Sequence, residues 1–445
     1  MSTVAREQLS PKNVLDVLSR HILVDGYHVV MDMKRSRGSY LYDARSDRPI
    51  LDFFSCFATI PVGYNHPRMN DPEFREALME AALTKPSTSD IYTEHFARFV
   101  ETFSELAVPK THSDHMFFVE GGTLAIENTL KTAFDWKIRK NLARGKGEKG
   151  TQILHFQNAF HGRSGYSLSM TNTADPRKTL YFPKFDWPRL SCPRLSFPVT
   201  EQVVREVAAA EEAVEKEIRT FCASRPDDIA ALIIEPIQAE GGDNHFRPQF
   251  LQALERICRE RECFFIVDEV QTGIGITGKM WAHEHFGLRP DALAFGKKTQ
   301  VCGCMVGPRV DEEPENVFKV SSRINSTWGG GLTDMVRFGR YLEIISQERL
   351  VENARVVGEH LLSGLRGLEA ELPGLVTNAR GRGLMIAFDL PRPEIRGKAH
   401  GRILEAGCLL LTCGERSIRF RPPLNLTAAE ADAGIDMVRK ALKAL

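Results

Sequence analysis

Between about residues 75 and 335, short β-like runs alternate with amphipathic helical ones, and this rhythm limits the fold more than any other feature. His115–Val119 reads as a strand and Gly121-Gly122 as a turn. A helix follows, with Ile126, Leu130, Phe134 and Ile138 at every fourth position. Gln152–Phe156, Ala230–Ile234, Cys263–Val267 and Ala292–Phe295 read as further strands, with helices over Val203–Phe221 and Pro248–Glu260. Short unbroken apolar runs separated by helices predict an α/β fold, a mainly parallel sheet covered by helices on both faces. With 42% hydrophobic and 26% charged residues, the chain is neither globally disordered nor collagen-like.

The two ends follow another pattern. Ser10-Pro11 predicts a helix start, with Ser10 as the cap and Val14, Leu15, Leu18 and Ile22 at helical spacing. Residues 27–54 read as short strands with turns at Arg37-Gly38 and Ser46-Asp47. A long helical stretch from Leu332 to about Glu371 leads to a strand, Leu384–Asp389, and a helix near 396–406. Ser417–Phe420 is a strand ended by Pro422-Pro423, and Thr427-Ala-Ala-Glu430 is a capping box that opens the last helix. The expected organisation is a large domain over 61–339 and a smaller α+β domain over 340–445, to which the N-terminal segment 1–60 contributes.

Charge and cysteine usage remove several function classes. The 58 Lys+Arg cancel the 58 Asp+Glu, so neither nucleic acid nor an anionic membrane is an expected partner through bulk charge. The longest apolar run, Phe53 to Tyr64, is interrupted and falls short of the ~18 residues of a membrane span. No apolar core follows the first charges, so no signal peptide is expected. Nine scattered cysteines make no disulfide framework, and Cys302-x-Cys304 lacks the paired spacing of a zinc site. No metal is expected, and the setting is read as cytoplasmic.

Six constellations can carry chemistry. FFVEGGTLAIENTLK (117–131) runs from strand through two glycines into a helix, whose free N–H groups can bind an anion; an ordinary βα loop reads the same way. Asp268-Glu269 follows the strand CFFIV, where open α/β sheets bind ligands, or where a carboxylate caps a helix. Gly273-Ile-Gly275-Ile-Thr-Gly278 matches G-x-G-x-x-G, but DEVQT separates it from the strand, so a flexible turn is the better reading than a dinucleotide site. In AFGKKTQ (294–300) a lysine follows a strand and a glycine; buried, it would become an amine nucleophile, and exposed it would be a solvated charge. Phe160-His161-Gly162-Arg163 offers an aromatic face and a guanidinium fork for a carboxylate. Glu240, in EPIQAEGGD, and Arg419, in SIRFRPP, are further charges. A phosphate cradle, a carboxylate, an aromatic face and a nucleophilic lysine are together the parts of a pyridoxal 5′-phosphate site.

The chain resembles the class III pyridoxal-phosphate aminotransferases of fold type I, from about residue 12 to 443. The motifs are FFVEGGTLAIENTLK, FHGR, EP followed by GG, DEVQTG, the lysine after Gly296, STWGG and RFRPPL. Within that class FPKFDWPR (182–189), GGDNHFRP (241–248), AFGKKTQVCG (294–303) and NSTWGG (325–330) are similar to the lysine 6-aminotransferase group. The resemblance implies that Lys297 is the Schiff-base lysine and general acid–base, Asp268 the partner of the pyridine nitrogen and Gln271 the partner of the phenolic oxygen. Phe160 would stack on the ring. Gly122 and Thr123 would form the phosphate cradle, joined by Thr327 from the other subunit of a homodimer with shared sites. Arg163 and Arg419 would bind carboxylates, with Glu240 as a switch that covers Arg419. The implied reaction moves the ε-amine of L-lysine to 2-oxoglutarate. It gives L-glutamate and 2-aminoadipate 6-semialdehyde, which cyclises to a piperideine carboxylate. Another class III ω-aminotransferase, such as an ornithine aminotransferase, would share the chemistry with a different pocket. Two departures stand out: Gly121-Gly122 where most of the class has Ser-Gly, and Gly331 where the lysine group has Asn.

Overall fold

Buried strands of a parallel sheet need apolar side chains on both faces, and the runs IAALII and FFIVD are buried at every position. The computed structural model describes residues 8–445. The N-terminal segment contributes strands β1 (Tyr40–Asp43) and β2 (Arg48–Asp52). The long central part contributes β3 (Met116–Val119), β4 (Gln152–Phe156), β5 (Arg189–Leu190), β6 (Ile229–Ile234), β7 (Phe264–Asp268), β8 (Ala292–Phe295) and β9 (Cys302–Val306). The tail contributes β10 (Thr377–Arg382), β11 (Met385–Asp389), β12 (Cys408–Leu409), β13 (Leu411–Cys413) and β14 (Ser417–Phe420).

The central strands form a seven-stranded sheet in the order β3-β9-β8-β7-β6-β4-β5. All its pairs are parallel except the two made by β9, so the sheet is mixed by one reversed strand. Side chains alternate between its faces, as period-two geometry requires. Leu232, Ile234, Phe265, Val267, Leu293 and Phe295 join one apolar core with Phe250, Leu254 and Ile257 of the helix Pro248–Glu260. Ala231, Ile233, Phe264, Ile266 and Ala292 join a second core with Ile126, Leu130 and Ala133 of the helix Gly122–Ala143.

The tail builds a separate four-stranded antiparallel sheet, β10-β11-β14-β13. β12 leaves it to pair in parallel with β2, so the N-terminal and C-terminal segments share a third sheet. The capping box forms: Thr427 Oγ1 accepts from Glu430 N at 3.2 Å, and Glu430 Oε2 accepts from Thr427 N at 2.8 Å. No helix among the described residues is long and apolar enough to cross a membrane.

Several local expectations change. The first helix starts at Val14, behind Asn13, because Ser10 donates its backbone N–H to Asn13 Oδ1 at 2.8 Å instead of capping. The stretch after Leu332 is two helices, Leu332–Gln347 and Leu350–Glu371, broken where Arg349 adopts φ 54°. Helices Pro72–Leu83 and Glu94–Leu106 and strands β9, β10 and β13 have no counterpart among the expected elements. Residues 273–278 form a turn closed by Gly275 N to Met280 O, 3.1 Å, with no helix directly behind it, in keeping with the turn reading of G-x-G-x-x-G. The N-terminal residues that bear on a signal peptide lie largely outside the described residues.

Candidate active site

The carboxyl ends of β3, β4, β6, β7 and β8 lie along one edge of the large sheet, and the sequence motifs follow those ends. Sheet register decides who meets whom. Val267 pairs with Ile234, so Asp268 comes level with Glu235, and Asp268 pairs with Ala294, three residues before Lys297. Asp268 is 4% exposed. His161 Nδ1 lies 2.7 Å from Asp268 Oδ2, and Val270 N donates to Oδ1 at 3.0 Å. Burial pulls the His161 pKa down, but the bond and charge of Asp268 outweigh it and raise the net value, as a ring held against a carboxylate requires. Glu235 accepts from Phe160 N (2.9 Å) and Ala239 N (3.0 Å), tying the loop of Phe160 to the loop of Glu240. Burial pushes the Glu235 carboxyl up to about 7, against the opposing charge of His161.

Past β8 the chain turns at Gly296 into a single 3₁₀ turn, Lys297–Thr299. The two lysines of this turn separate completely. Lys298 is 1% exposed and donates Nζ to Gln271 O at 2.8 Å, so it is a structural strut. Lys297 is partly buried, and its side chain makes no hydrogen bond or ion pair among the described residues. Desolvation lowers its pKa; Asp268 opposes this and the Arg419 guanidinium adds to it, so all three groups lie within electrostatic reach of one another. Lys297 has φ 54° and Gln300 φ 60°, both in the left-handed region. Across from them Ser55, Cys56, Phe57 and Ala58 form a left-handed turn with φ of 44–65°. Gln300 Nε2 donates to Thr59 O at 2.6 Å, and Gln271 Nε2 approaches Phe57 O at 3.5 Å, which clamps the two strained turns together. Strain of this kind persists only where surrounding contacts impose it.

The helix Gly122–Ala143 begins at the end of β3 with no side-chain cap, leaving its first N–H groups available to an anion. Gly121 adopts φ +99°, and a Cβ at Gly122 would approach Val270 Cγ1 to 3.1 Å, so the backbone path favours glycine at both positions. Thr123 Oγ1 accepts from Arg163 N at 3.4 Å, which brings the Phe160–Arg163 loop to the same helix end. An uncapped helix end, a buried carboxylate with its own histidine partner, and a desolvated lysine fit the phosphate, the ring nitrogen and the aldehyde of pyridoxal 5′-phosphate. Gly122 and Thr123 would hold the first, Asp268 the second and Lys297 the third, with Phe160 and Gln271 beside the ring.

The rim is built differently. Two arginines stand in RFRPP, and the fold gives them opposite tasks. Arg421, fully buried, is paired bidentately with Asp243. Arg419 on β14 is 4% exposed, and its Nε and Nη1 are buried without a partner among the described residues. Glu240 does not cover it: its Oε1 is paired with Lys178, and its Oε2 is buried and likewise unpartnered. The Glu240 loop is anchored by Gly414 N donating to Glu240 O at 2.8 Å. A Cβ at Gly241 would fall 1.9 Å from Asn158 O, so only glycine allows this approach. Arg163 is exposed, its guanidinium unpaired among the described residues. Thr327 is exposed in a loop held by Ser89 Oγ to Ser326 O at 2.7 Å and by Thr88 N to Trp328 O at 3.2 Å. Gly331 starts the helix Leu332–Gln347, and a Cβ there would come within 3.0 Å of Glu120 Oε1.

Four features of the site were not expected from the sequence: His161, Glu235, Lys178 and the left-handed turn at 55–58. His161 stands inside FHGR and Glu235 inside EP, so both sit within motifs that otherwise gave them no role. Lys178 lies in no motif at all, and only the fold brings it to Glu240.

Residues 23–442 match the family profile described as Aminotransferase class-III. The chain is 49% identical to the L-lysine-epsilon aminotransferase of Mycobacterium tuberculosis, over 99% of this chain and 97% of that protein. It is 47% identical to the L-lysine-epsilon aminotransferase of Streptomyces clavuligerus, over 98% and 95%. The solved structure of the lysine aminotransferase from M. tuberculosis superposes with a TM-score of 0.95 over 98% of this chain and all of that one. A match that spans nearly the whole chain, including every element of the sheet edge described above, settles the family: this chain belongs to the class III aminotransferases, which are pyridoxal-phosphate-dependent enzymes.

Proposed function

We propose that this aminotransferase takes the ε-amino group of L-lysine and delivers it to 2-oxoglutarate. The products are L-glutamate and 2-aminoadipate 6-semialdehyde, which closes to piperideine-6-carboxylate. The observation that carries the reading is the identity of 47–49% with L-lysine-epsilon aminotransferases over nearly the full length. The cofactor supplies the electron sink that lets an amine be exchanged for a carbonyl. The remaining work belongs to side chains. Lys297, its ammonium destabilised by burial, removes and returns a proton at the substrate carbon that bears the amine. Asp268, held by His161, would keep the ring nitrogen protonated. Gln271 would bond the phenolic oxygen, Phe160 would cover the ring, and Gly122, Thr123 and the partner's Thr327 would hold the phosphate.

Two substrates must use one pocket in opposite orientations. Lysine brings its distal amine to Lys297 and its carboxylate far out, to Arg163. The oxoacid brings its α-carboxylate close in, to Arg419. Glu240 neutralises Arg419 in the first case and withdraws in the second. The unpartnered N–H groups of Arg419 and the unpartnered Oε2 of Glu240 support this reading, because both are buried groups that lack the partner burial requires.

We further propose a cytoplasmic homodimer, each chain with a large domain (61–339) and a small one (1–60 with 340–445). Ile91, Tyr92, Leu124 and Trp328 are exposed near the phosphate cradle and the Thr327 loop, as a partner face there would need. The test is direct. The purified holoenzyme should convert lysine and 2-oxoglutarate to glutamate and a cyclic imine trapped by o-aminobenzaldehyde, and should sediment at twice its 50.0 kDa chain mass. Faster turnover with ornithine or 4-aminobutyrate than with lysine would overturn the substrate assignment.

A further inference from the structure

Glu240 is the rim carboxylate with two possible seats, and the structure shows it in the one that no motif predicts. Its Oε1 is paired with Lys178 Nζ, with both side chains about three-quarters buried at 27% and 23% exposure. Lys178 ends the 3₁₀ turn Pro176–Lys178, which the Asp175 side chain caps by accepting from Arg177 N at 3.1 Å. Its Nζ lies 6.0 Å from the centroid of the Phe160 ring, so the ion pair stands over the aromatic wall of the pocket. With Glu240 seated there, Arg419 keeps two buried N–H groups without an acceptor among the described residues. A buried guanidinium in that condition is costly alone and is poised for an incoming carboxylate.

We propose that Lys178 is a positioning residue for specificity: it draws the Glu240 carboxylate away from Arg419 and so favours the state of the pocket that receives an α-carboxylate. The inference rests on the two-orientation reading of the site and names the group that sets its balance. Glu240 on Lys178 leaves Arg419 open to the oxoacid. Glu240 on Arg419 leaves the inner pocket neutral for the aliphatic chain of lysine. Lys178 shifts this balance only by its differential interaction with the two states, so its removal acts on one substrate and spares the other. A partly buried ion pair of this kind changes the ratio by about three- to tenfold.

The test uses the holoenzyme and glutarate, a dicarboxylate without the reactive carbonyl. Lys178→Met should weaken glutarate binding, measured by calorimetry, about three- to tenfold. In rapid-mixing half-reactions the apparent KM for 2-oxoglutarate should rise by the same factor at unchanged maximal rate, while lysine is not weakened. Lys178→Arg should restore both. In a Glu240→Ala background, Lys178→Met should add nothing further. Equal losses for lysine and 2-oxoglutarate, or no loss at all, would leave Lys178 as a support of its turn and overturn the proposal. A loss that persists in the Glu240→Ala background would also overturn it, because Lys178 would then be touching the dicarboxylate itself. If the wild-type enzyme failed to accept lysine, the substrate reading would fall, and the glutarate arm would still decide the role of Lys178.

Discussion

The floor and the rim of this pocket are built on opposite terms. On the floor, Asp268, His161, Glu235 and Lys298 come from strand ends or the loops after them, all are buried, and each has a partner within 2.7–3.0 Å, with His161 Nε2 alone of their side-chain polar atoms left without one among the described residues. On the rim, Arg419 and Glu240 hold buried polar atoms with no partner among the described residues, and Arg163 and Thr327 stand exposed. A largely satisfied network fixes one geometry and suits a resident group that stays bound through both half-reactions. Open valences on long side chains suit ligands that do change. Lys297 belongs to the floor by position and to the rim by its freedom, as a group that both holds and releases would.

The comparison can be broken most severely at Lys297. Lys297→Ala should lower turnover by about 10⁴-fold or more, while the cofactor still binds through the cradle and Asp268. Borohydride reduction and peptide mapping of the wild type should place the pyridoxyl group on Lys297; recovery on Lys298 would overturn the division between strut and nucleophile. Asp268→Asn should come next, slowing both half-reactions by roughly 10²–10³-fold, since a neutral amide cannot hold a protonated ring nitrogen. Near-normal single turnovers with lysine would refute its role. Floor variants should thus hurt both halves alike.

Rim variants should not. Arg419→Ala should weaken 2-oxoglutarate by about 10- to 100-fold and lysine much less. Arg163→Ala should raise the KM for lysine and leave cadaverine, which has no carboxylate, nearly untouched. If these losses proved equal across substrates, the rim would be no more selective than the floor.

The smallest effect sharpens the comparison through stability. The Glu235 carboxyl rises from 4.5 to about 7 in the folded state, mainly by burial. A group raised in this way binds its proton more tightly when folded, so its contribution is fully present below about 4.5 and is lost as pH climbs to about 7. Glu235→Gln stays neutral throughout. Its stability relative to wild type should therefore improve between about pH 5 and pH 8 by on the order of 1–3 kcal/mol, read from thermal or denaturant midpoints. A difference that stays flat with pH would show that Glu235 is ionised in the fold at every pH tested.

Local signals account for many of the elements that carry the pocket. The strand at Gln152–Phe156, the helix at Pro248–Glu260 and the capping box at Thr427 are legible in the sequence because their signals lie within a few residues of one another. β9 illustrates the opposite case: CGCMV has no alternation and carries two cysteines flanking a glycine, and it becomes a strand only by filling the gap between β3 and β8. The helical stretch after Leu332 reads as continuous because Arg349 is a good helix former, and the break comes from packing two helices against different neighbours.

By itself the sequence determined the α/β architecture, the strand ends that carry chemistry, and the residue types needed for an amine-transfer site. Apolar periodicity, glycine placement and caps are local properties, and they act before distant segments meet. Only the tertiary structure decided between neighbours of equal chemistry. Lys297 faces the pocket and Lys298 the core; Arg419 stays open while Asp243 claims Arg421; Glu240 sits with Lys178, 62 residues away. These choices depend on sheet register and on which loop approaches which strand end. In a strand, a shift of one residue sends every side chain to the opposite face. No local pattern contains that information, because it arises only when segments far apart in the chain are packed against each other.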